Sequence, residues 1–168
     1  DAMIAFDLRT GELLWSRQFT AGDAWNIGCE TEDDTNCPEA RGPDLDFGSS
    51  AILVKLDNGK RVLLAGQKSG VLHAVDPDRD GEILWQQRVG KGGLIGGIQW
   101  GPAADGSTIY VALSDIGIET HKDPDLGWTT TLDGSVGGGM FAYDVETGQQ
   151  KWHAPPPGCD GRAQCSPA

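Results

Sequence analysis

One phrase recurs three times along this chain, and it limits the architecture more than any other feature. Ala5-Phe6-Asp7-Leu8-Arg9-Thr10-Gly11-Glu12-Leu13-Leu14-Trp15 returns as Ala142-Tyr143-Asp144-Val145-Glu146-Thr147-Gly148-Gln149-Gln150-Lys151-Trp152. A third copy lies between them, from Ala74-Val75-Asp76 to Gly81-Glu82-Ile83-Leu84-Trp85, with one residue added in its turn. The tryptophans are 70 and 67 residues apart, and self-similarity at a fixed period marks a repeat architecture. In each copy the residues up to the Asp read as a strand. The Asp can bond its own backbone two residues on and the Gly supplies a positive φ, so the centre is a tight turn from which a second strand carries the Trp away. A four-stranded sheet cannot bury both faces by itself, so a large aromatic in every unit is expected to wedge between neighbouring sheets. On this reading Asp7, Gly11, Trp15, Asp76, Gly81, Trp85, Asp144, Gly148 and Trp152 are structural docking residues.

The remaining segments complete the unit. Strands are predicted at 13–19, 47–56, 61–66, 71–76 and 82–89, with turns at Asp57-Asn58-Gly59-Lys60 and Gln67-Lys68-Ser69-Gly70. A Gly-rich stretch, 90–97, then leads into strands at 98–100, 108–113, 138–144 and 149–153, with an insertion over 114–137 and a stop at Pro155-Pro156-Pro157. Four-stranded sheets at this period are the blades of a β-propeller. The expected fold is all-β, a β-propeller fragment of four-stranded antiparallel blades. Residues 1–19 end one blade, 47–89 form a second, 95–153 form a third, and 154–168 are a loop. That is too few blades to close a ring, so the chain reads as a piece of a longer protein whose remaining blades are its partners. In an antiparallel meander, loop 20–46, the Gly loop, the 67–70 turn and the insertion all fall at one end, and the other end has only tight turns. Elaboration confined to one end of a rigid scaffold is how a binding face looks.

The formal charge of −12 argues against nucleic acid or an anionic membrane as partner, and no apolar run reaches membrane-spanning length. Four cysteines, Cys29, Cys37, Cys159 and Cys165, allow three connectivities. Each pair sits in one polar loop, so local bridges Cys29–Cys37 and Cys159–Cys165 are expected, in an oxidising compartment, against the alternative of free cytosolic thiols. The spacings are not those of a zinc site, and Cys-x-x-Cys-His is absent.

Asp44-Leu45-Asp46-Phe47-Gly48 places two carboxylates on alternate residues at the start of an innermost strand. There a carboxylate serves either as a general base, given a substrate within hydrogen-bond reach, or as a turn or cap. Lys68 stands in a tight turn on the same face and by itself reads as a solvated lysine. Asp76-Pro77-Asp78-Arg79-Asp80-Gly81 fits the opening of an EF-hand loop, but the twelfth position is Gln87. The stretch 90–97 fails the dinucleotide-binding spacing. His73, on a strand, reads as packed, and His121 and His153 make no cluster with it.

The tryptophan phrase resembles the docking motif of quinoprotein dehydrogenases, eight-bladed propellers that hold pyrroloquinoline quinone (PQQ) on their axis. Asp44-Leu45-Asp46-Phe47-Gly48-Ser49-Ser50, the stretch Gly66-Gln67-Lys68-Ser69-Gly70-Val71-Leu72-His73-Ala74-Val75-Asp76-Pro77, and Gly96-Gly97-Ile98-Gln99-Trp100-Gly101 are similar to the polyvinyl-alcohol dehydrogenase branch. The resemblance implies a periplasmic or secreted PQQ-dependent alcohol dehydrogenase that oxidises secondary or polymeric alcohols by hydride transfer to the quinone and passes electrons to cytochrome c or another acceptor. It implies that Asp46 is the catalytic base and that Lys68 binds the cofactor through the quinone oxygens. It also implies Ca2+ as Lewis acid, with its usual Glu and Asn ligands upstream of residue 1, so no metal ligand is assigned within this chain. Gly48 stands where lanthanide-dependent relatives carry a further Asp, which favours calcium. The fragment is expected to be inactive alone. Non-enzymatic propellers share the docking phrase, so the rival expectation is a non-catalytic, protein-binding propeller of the outer-membrane assembly or adhesion kind.

Overall fold

Alternating strand-forming runs, punctuated by Asp and Gly turns, give an all-β chain whose only helical element among the described residues is a single 3₁₀ turn, Ile27–Glu30. The computed structural model describes residues 1–30, 35–115, 117–125, 127–133 and 137–156. Strands β1 (Ala2–Phe6) and β2 (Leu13–Gln18) pair as a two-stranded sheet. Strands β3 (Ile52–Lys55), β4 (Arg61–Gly66), β5 (Val71–Asp76) and β6 (Glu82–Arg88) form a four-stranded meander. A second four-stranded sheet runs β7 (Ala103–Ala104), β8 (Thr108–Leu113), β11 (Gly139–Asp144) and β12 (Gln150–Ala154). Between β8 and β11, β9 (Gly117–Asp123) and β10 (Gly127–Asp133) pair as a hairpin of their own. All neighbouring strands are antiparallel. The two complete sheets are propeller blades.

The recurring phrase has one geometry in its three copies. Asp7 Oδ1 accepts from the amides of Arg9 (2.9 Å) and Thr10 (2.7 Å), and Asp144 Oδ1 from those of Glu146 (3.1 Å) and Thr147 (2.9 Å). The middle copy, longer by one residue, keeps the bond from the Asp78 amide to Asp76 (2.9 Å), and Arg79 closes on the same carboxylate. Opposite each Trp lies an alanine, Ala5 to Trp15, Ala74 to Trp85 and Ala142 to Trp152, and a bulge follows that alanine in each copy. The small residue leaves the indole room to turn toward the next sheet. Trp15 Nε1 donates to the Pro77 carbonyl (3.3 Å) and Trp85 Nε1 to that of Val145 (3.0 Å). The rings lie over Gly81 and Gly148, where a Cβ would stand 2.8 Å and 2.6 Å from the indole carbons. Trp15 and Trp85 therefore each seat on the turn glycine of the following copy.

Strand alternation sends the side chains of the middle sheet both ways. Val62, Leu64, Leu72 and Ala74 meet Ile109, Val111, Leu113 and Tyr143 of the last sheet, with Val54, Ile98 and Val145 sealing the layer. Ala65 and Val75 face the other way, onto Met3, with Trp15, Phe19 and Phe47 packed around them. Each Val, Leu or Ile side chain so buried contributes about 1.5–3 kcal/mol.

Both innermost strands are shorter than their sequences predict. Of 47–56 only Ile52–Lys55 pairs, because Phe47 turns into the ring cluster with Phe19 and His73 (centroids 5.3 Å and 5.5 Å). The strand expected at 98–100 lies outside the ladder. Ile98, fully buried, donates its amide across to the Gln67 carbonyl of the preceding blade (3.2 Å), and Pro102 has no amide to give. Regular pairing resumes only at Ala103–Ala104, with an isolated bridge at Gly97–Ser114. The insertion 114–137 holds the β9–β10 hairpin. Its signal was present in Thr- and Ile-bearing runs on either side of Asp123-Pro124-Asp125, a turn-forming cluster.

Candidate functional site

Loop 20–46 leaves β2, doubles back, and delivers Asp44 and Asp46 to the turn that carries Lys68. Its two arms are zipped by bonds from the Ala24 amide to the Arg41 carbonyl (3.0 Å) and from Asn26 Nδ2 to the Asn36 carbonyl (3.0 Å). A disulfide joins Cys29 to Cys37 near the tip, as the spacing led us to expect. The other expected pair, Cys159 and Cys165, lies outside the described residues.

The return arm ends on a carboxylate clamp. Asp23 accepts the amides of Asp44 (2.9 Å) and Leu45 (2.6 Å) through its two oxygens. Held this way, Asp44 adopts φ +59°, a left-handed conformation that Asp tolerates better than most residues. Its side chain is buried at 5% exposure, and Asp46, two residues on, is 53% exposed.

Lys68 joins the two. Its amide donates to the Asp46 carbonyl (2.9 Å). Its Nζ lies 3.1 Å from each oxygen of Asp44 and 3.3 Å from Oδ2 of Asp46. The structure therefore brings Asp46 and Lys68 together at one end of the sheet. Burial, reinforced by the hydrogen bond with Asp46, raises the Asp44 carboxyl above the usual Asp range, against the pull of Lys68. Burial acts on Asp46 in the same sense, but its hydrogen bonds to Asp44 and Lys68 and the charge of Lys68 outweigh it and leave that carboxyl below the usual range.

The Gly-rich stretch 90–97 fits around the Lys68 turn. Gly93 donates its amide to the Lys68 carbonyl (3.0 Å), and at Gly97 (φ +73°) a Cβ would stand 2.0 Å from that oxygen. Asp115 fixes the stretch through the amides of Lys91 (2.7 Å) and Gly92 (3.0 Å). Gly48 has a packing reason of its own, since a Cβ there would meet the Gln99 carbonyl at 2.3 Å. Where the blades meet at this point, Ser49 Oγ and Gln99 Oε1 are buried without a hydrogen-bond partner. Asp23 escaped the sequence reading, and Ser49 and Gln99 entered it only as members of longer motifs without a role, because nothing local marks a residue whose partner is distant in the chain.

The weaker sequence signals resolve into structure. His73 is 2% exposed between Phe19 and Phe47, with Gln86 and Gln67 on its two ring nitrogens, and burial lowers its pKa to about 4. Asp76 is engaged by Arg79 and Asp78 by Arg61. Among the described residues no group of three or more His, Cys, Asp or Glu side chains is placed to hold a metal, and no helix is long and apolar enough to cross a membrane.

Comparison with known proteins gives this geometry a context. The profile of the PQQ_2 propeller family, described as outer membrane protein assembly factor BamB, matches residues 1–163. A polyvinylalcohol dehydrogenase of a Pseudomonas species is 37% identical over 157 residues, 94% of this chain. The chain belongs to the PQQ-dependent alcohol dehydrogenase-like family. A second relative, the polyvinylalcohol dehydrogenase of Sphingopyxis sp. (strain 113P3), is 35% identical over 155 residues, 91% of the chain. The chain spans 22% of the length of each of these two enzymes.

Proposed function

We propose that this chain is the part of a PQQ-dependent alcohol dehydrogenase that carries its general base and its quinone-facing cation, acting on secondary or polymeric alcohols. The observation that carries the reading is the convergence of Asp46 and Lys68, with Nζ 3.3 Å from the carboxylate, in a chain whose relatives include two polyvinylalcohol dehydrogenases.

The residues present fit such a cofactor. Lys68 offers a held cation, and the partnerless Ser49 Oγ and Gln99 Oε1 are polar atoms that a heteroaromatic acid could satisfy. Bound PQQ supplies the hydride acceptor. The chain's own residues do the rest. Asp46, half exposed and held below the usual carboxyl range, is ionised at neutral pH and takes the hydroxyl proton of an alcohol within reach of its carboxylate. Lys68 presents positive charge where negative charge develops, which a preorganised cation does without reorganising solvent. Calcium belongs to this proposal as the Lewis acid, with ligands supplied mostly from outside this chain. Cytochrome c or another acceptor removes the electrons. The Cys29–Cys37 disulfide supports a periplasmic or secreted location.

The test is made in the longer protein that contains this chain. Asp46→Asn should lower alcohol-dependent dye reduction by about 10²–10⁴-fold while quinone affinity, read by fluorescence titration, stays within a few-fold. Turnover unchanged in Asp46→Asn would sink the reading. The second reading, a non-catalytic protein-binding propeller, is favoured only by the assembly-factor description of the matching family, and alcohol-dependent reduction by the unaltered protein would exclude it.

A further inference from the structure

We propose that Asp44 is the positioning residue of the site, holding the Lys68 ammonium by a two-point bond so that the cation is fixed beside Asp46; this rests on the reading of Asp46 and Lys68 given above. The contacts are unequal. Nζ is 3.1 Å from both oxygens of Asp44 and meets Asp46 through Oδ2 alone, at 3.3 Å. The environments are unequal as well, since the Asp44 side chain is 5% exposed and that of Asp46 is 53% exposed. A charge pair is stronger where water is excluded and weaker where it is screened. Asp44 is therefore the dominant partner.

A lysine needs such a partner. Its ammonium is a point charge on a flexible four-carbon stem, with three donors and no preferred plane. Two acceptor oxygens on one rigid carboxylate define its position in a way that one oxygen on an exposed side chain does not. Asp44 is itself anchored, because Asp23 takes its amide and that of Leu45 (2.9 Å and 2.6 Å) and holds its backbone at φ +59°. The far side of the turn is anchored by Gly93 on the Lys68 carbonyl (3.0 Å). Loop 20–46 thus delivers a base and, two residues earlier, the group that fixes the neighbouring cation. Without Asp44 the ammonium keeps only its single contact with the solvent-exposed Asp46, which screening weakens, and its position is no longer defined.

The experiment reads the lysine rather than turnover, so it stands or falls separately from the functional reading. Reductive dimethylation of the longer protein, without added quinone, is followed by peptide mass spectrometry, with the exposed Lys55, Lys60 and Lys91 as internal references. Lys68 should react about tenfold more slowly than the references, because its ammonium is shielded from the reagent and held by charge-assisted bonds. Asp44→Asn should raise its rate about tenfold relative to them, and Asp46→Asn by less than about twofold, because the two-point bond remains. Asp44→Glu, which restores a carboxylate, should recover most of the protection, and Asp44→Ser replaces the Asn variant if that fails to fold. Lys68 staying slow in Asp44→Asn, or being freed equally by Asp46→Asn, would overturn the assignment. Loss of alcohol oxidation in Asp46→Asn, measured in parallel, reports on the functional reading alone.

Discussion

Alanine at Gly148 tests the interlock between blades, and the structure supplies its magnitude. Gly148 has φ +70°, and a Cβ there would stand 2.6 Å from Cδ2 of Trp85 and 2.9 Å from Cγ and Cε3. No carbon approaches that closely, so the indole or the turn must move. Placing a Cβ on a left-handed backbone costs about 1–2 kcal/mol. Forcing a packed aromatic off its seat adds about 1–3 kcal/mol, and the bond from Trp85 Nε1 to the Val145 carbonyl (3.0 Å) is a further ~1 kcal/mol at risk. The expected loss is therefore about 3–6 kcal/mol. Gly59 provides the control. Its φ is +85° and nothing lies within 4 Å of a Cβ built on it, so Gly59→Ala should cost only the backbone share, about 1–2 kcal/mol. The assay is urea unfolding followed by tryptophan fluorescence. With a slope of about 2 kcal/mol/M, Gly148→Ala should lower the midpoint by about 1–2 M more than Gly59→Ala. Equal midpoints for the two variants would refute the wedge, leaving Trp85 and Gly148 as neighbours without mutual consequence.

Two further outcomes are expected. His73 is buried and neutral with its pKa lowered to about 4 from 6.5, so the unfolded chain binds its proton first; stability from this residue is complete above pH 6.5 and falls by about 3 kcal/mol as pH drops through that window to about 4. Comparing unfolding free energies of wild type and His73→Gln at pH 7.5 and pH 4.5 checks this, and parallel pH profiles would count against it. Reduction of Cys29–Cys37 should speed amide exchange at Ala24, Asp44 and Leu45, the residues whose amides zip the two arms, while β4 and β5 stay protected; unchanged exchange in the loop would show that Asp23 alone holds it.

How much was legible follows from what is local. The tight turns of the phrase involve an Asp, the two or three amides after it, and a Gly, all within about five residues, so a single reading located them along with the strands on either side. The same locality explains why β4, β5 and β8 lie where alternation put them, and why the Cys29–Cys37 bridge inside one polar loop was foreseeable. Asp46 and Lys68 stood out through their motifs, and the four-strand meander implied that both lie at one end of a sheet.

Packing between sheets was beyond that reading. Ile98 gives its amide to the preceding blade, and Phe47 leaves its ladder for Phe19 and His73, so both innermost strands are cut short for reasons that no periodicity contains. Gly48 is a glycine because the Gln99 carbonyl presses on it, and Asp44 became the partner of Lys68 because Asp23, 21 residues earlier, holds its backbone in place. The sequence by itself determined the repeating strand-and-turn unit, since hydrogen bonds over a few residues are sufficient to close it. Which carboxylate holds the lysine and which faces solvent was decided only by the tertiary structure, since burial is a property of how separate segments meet.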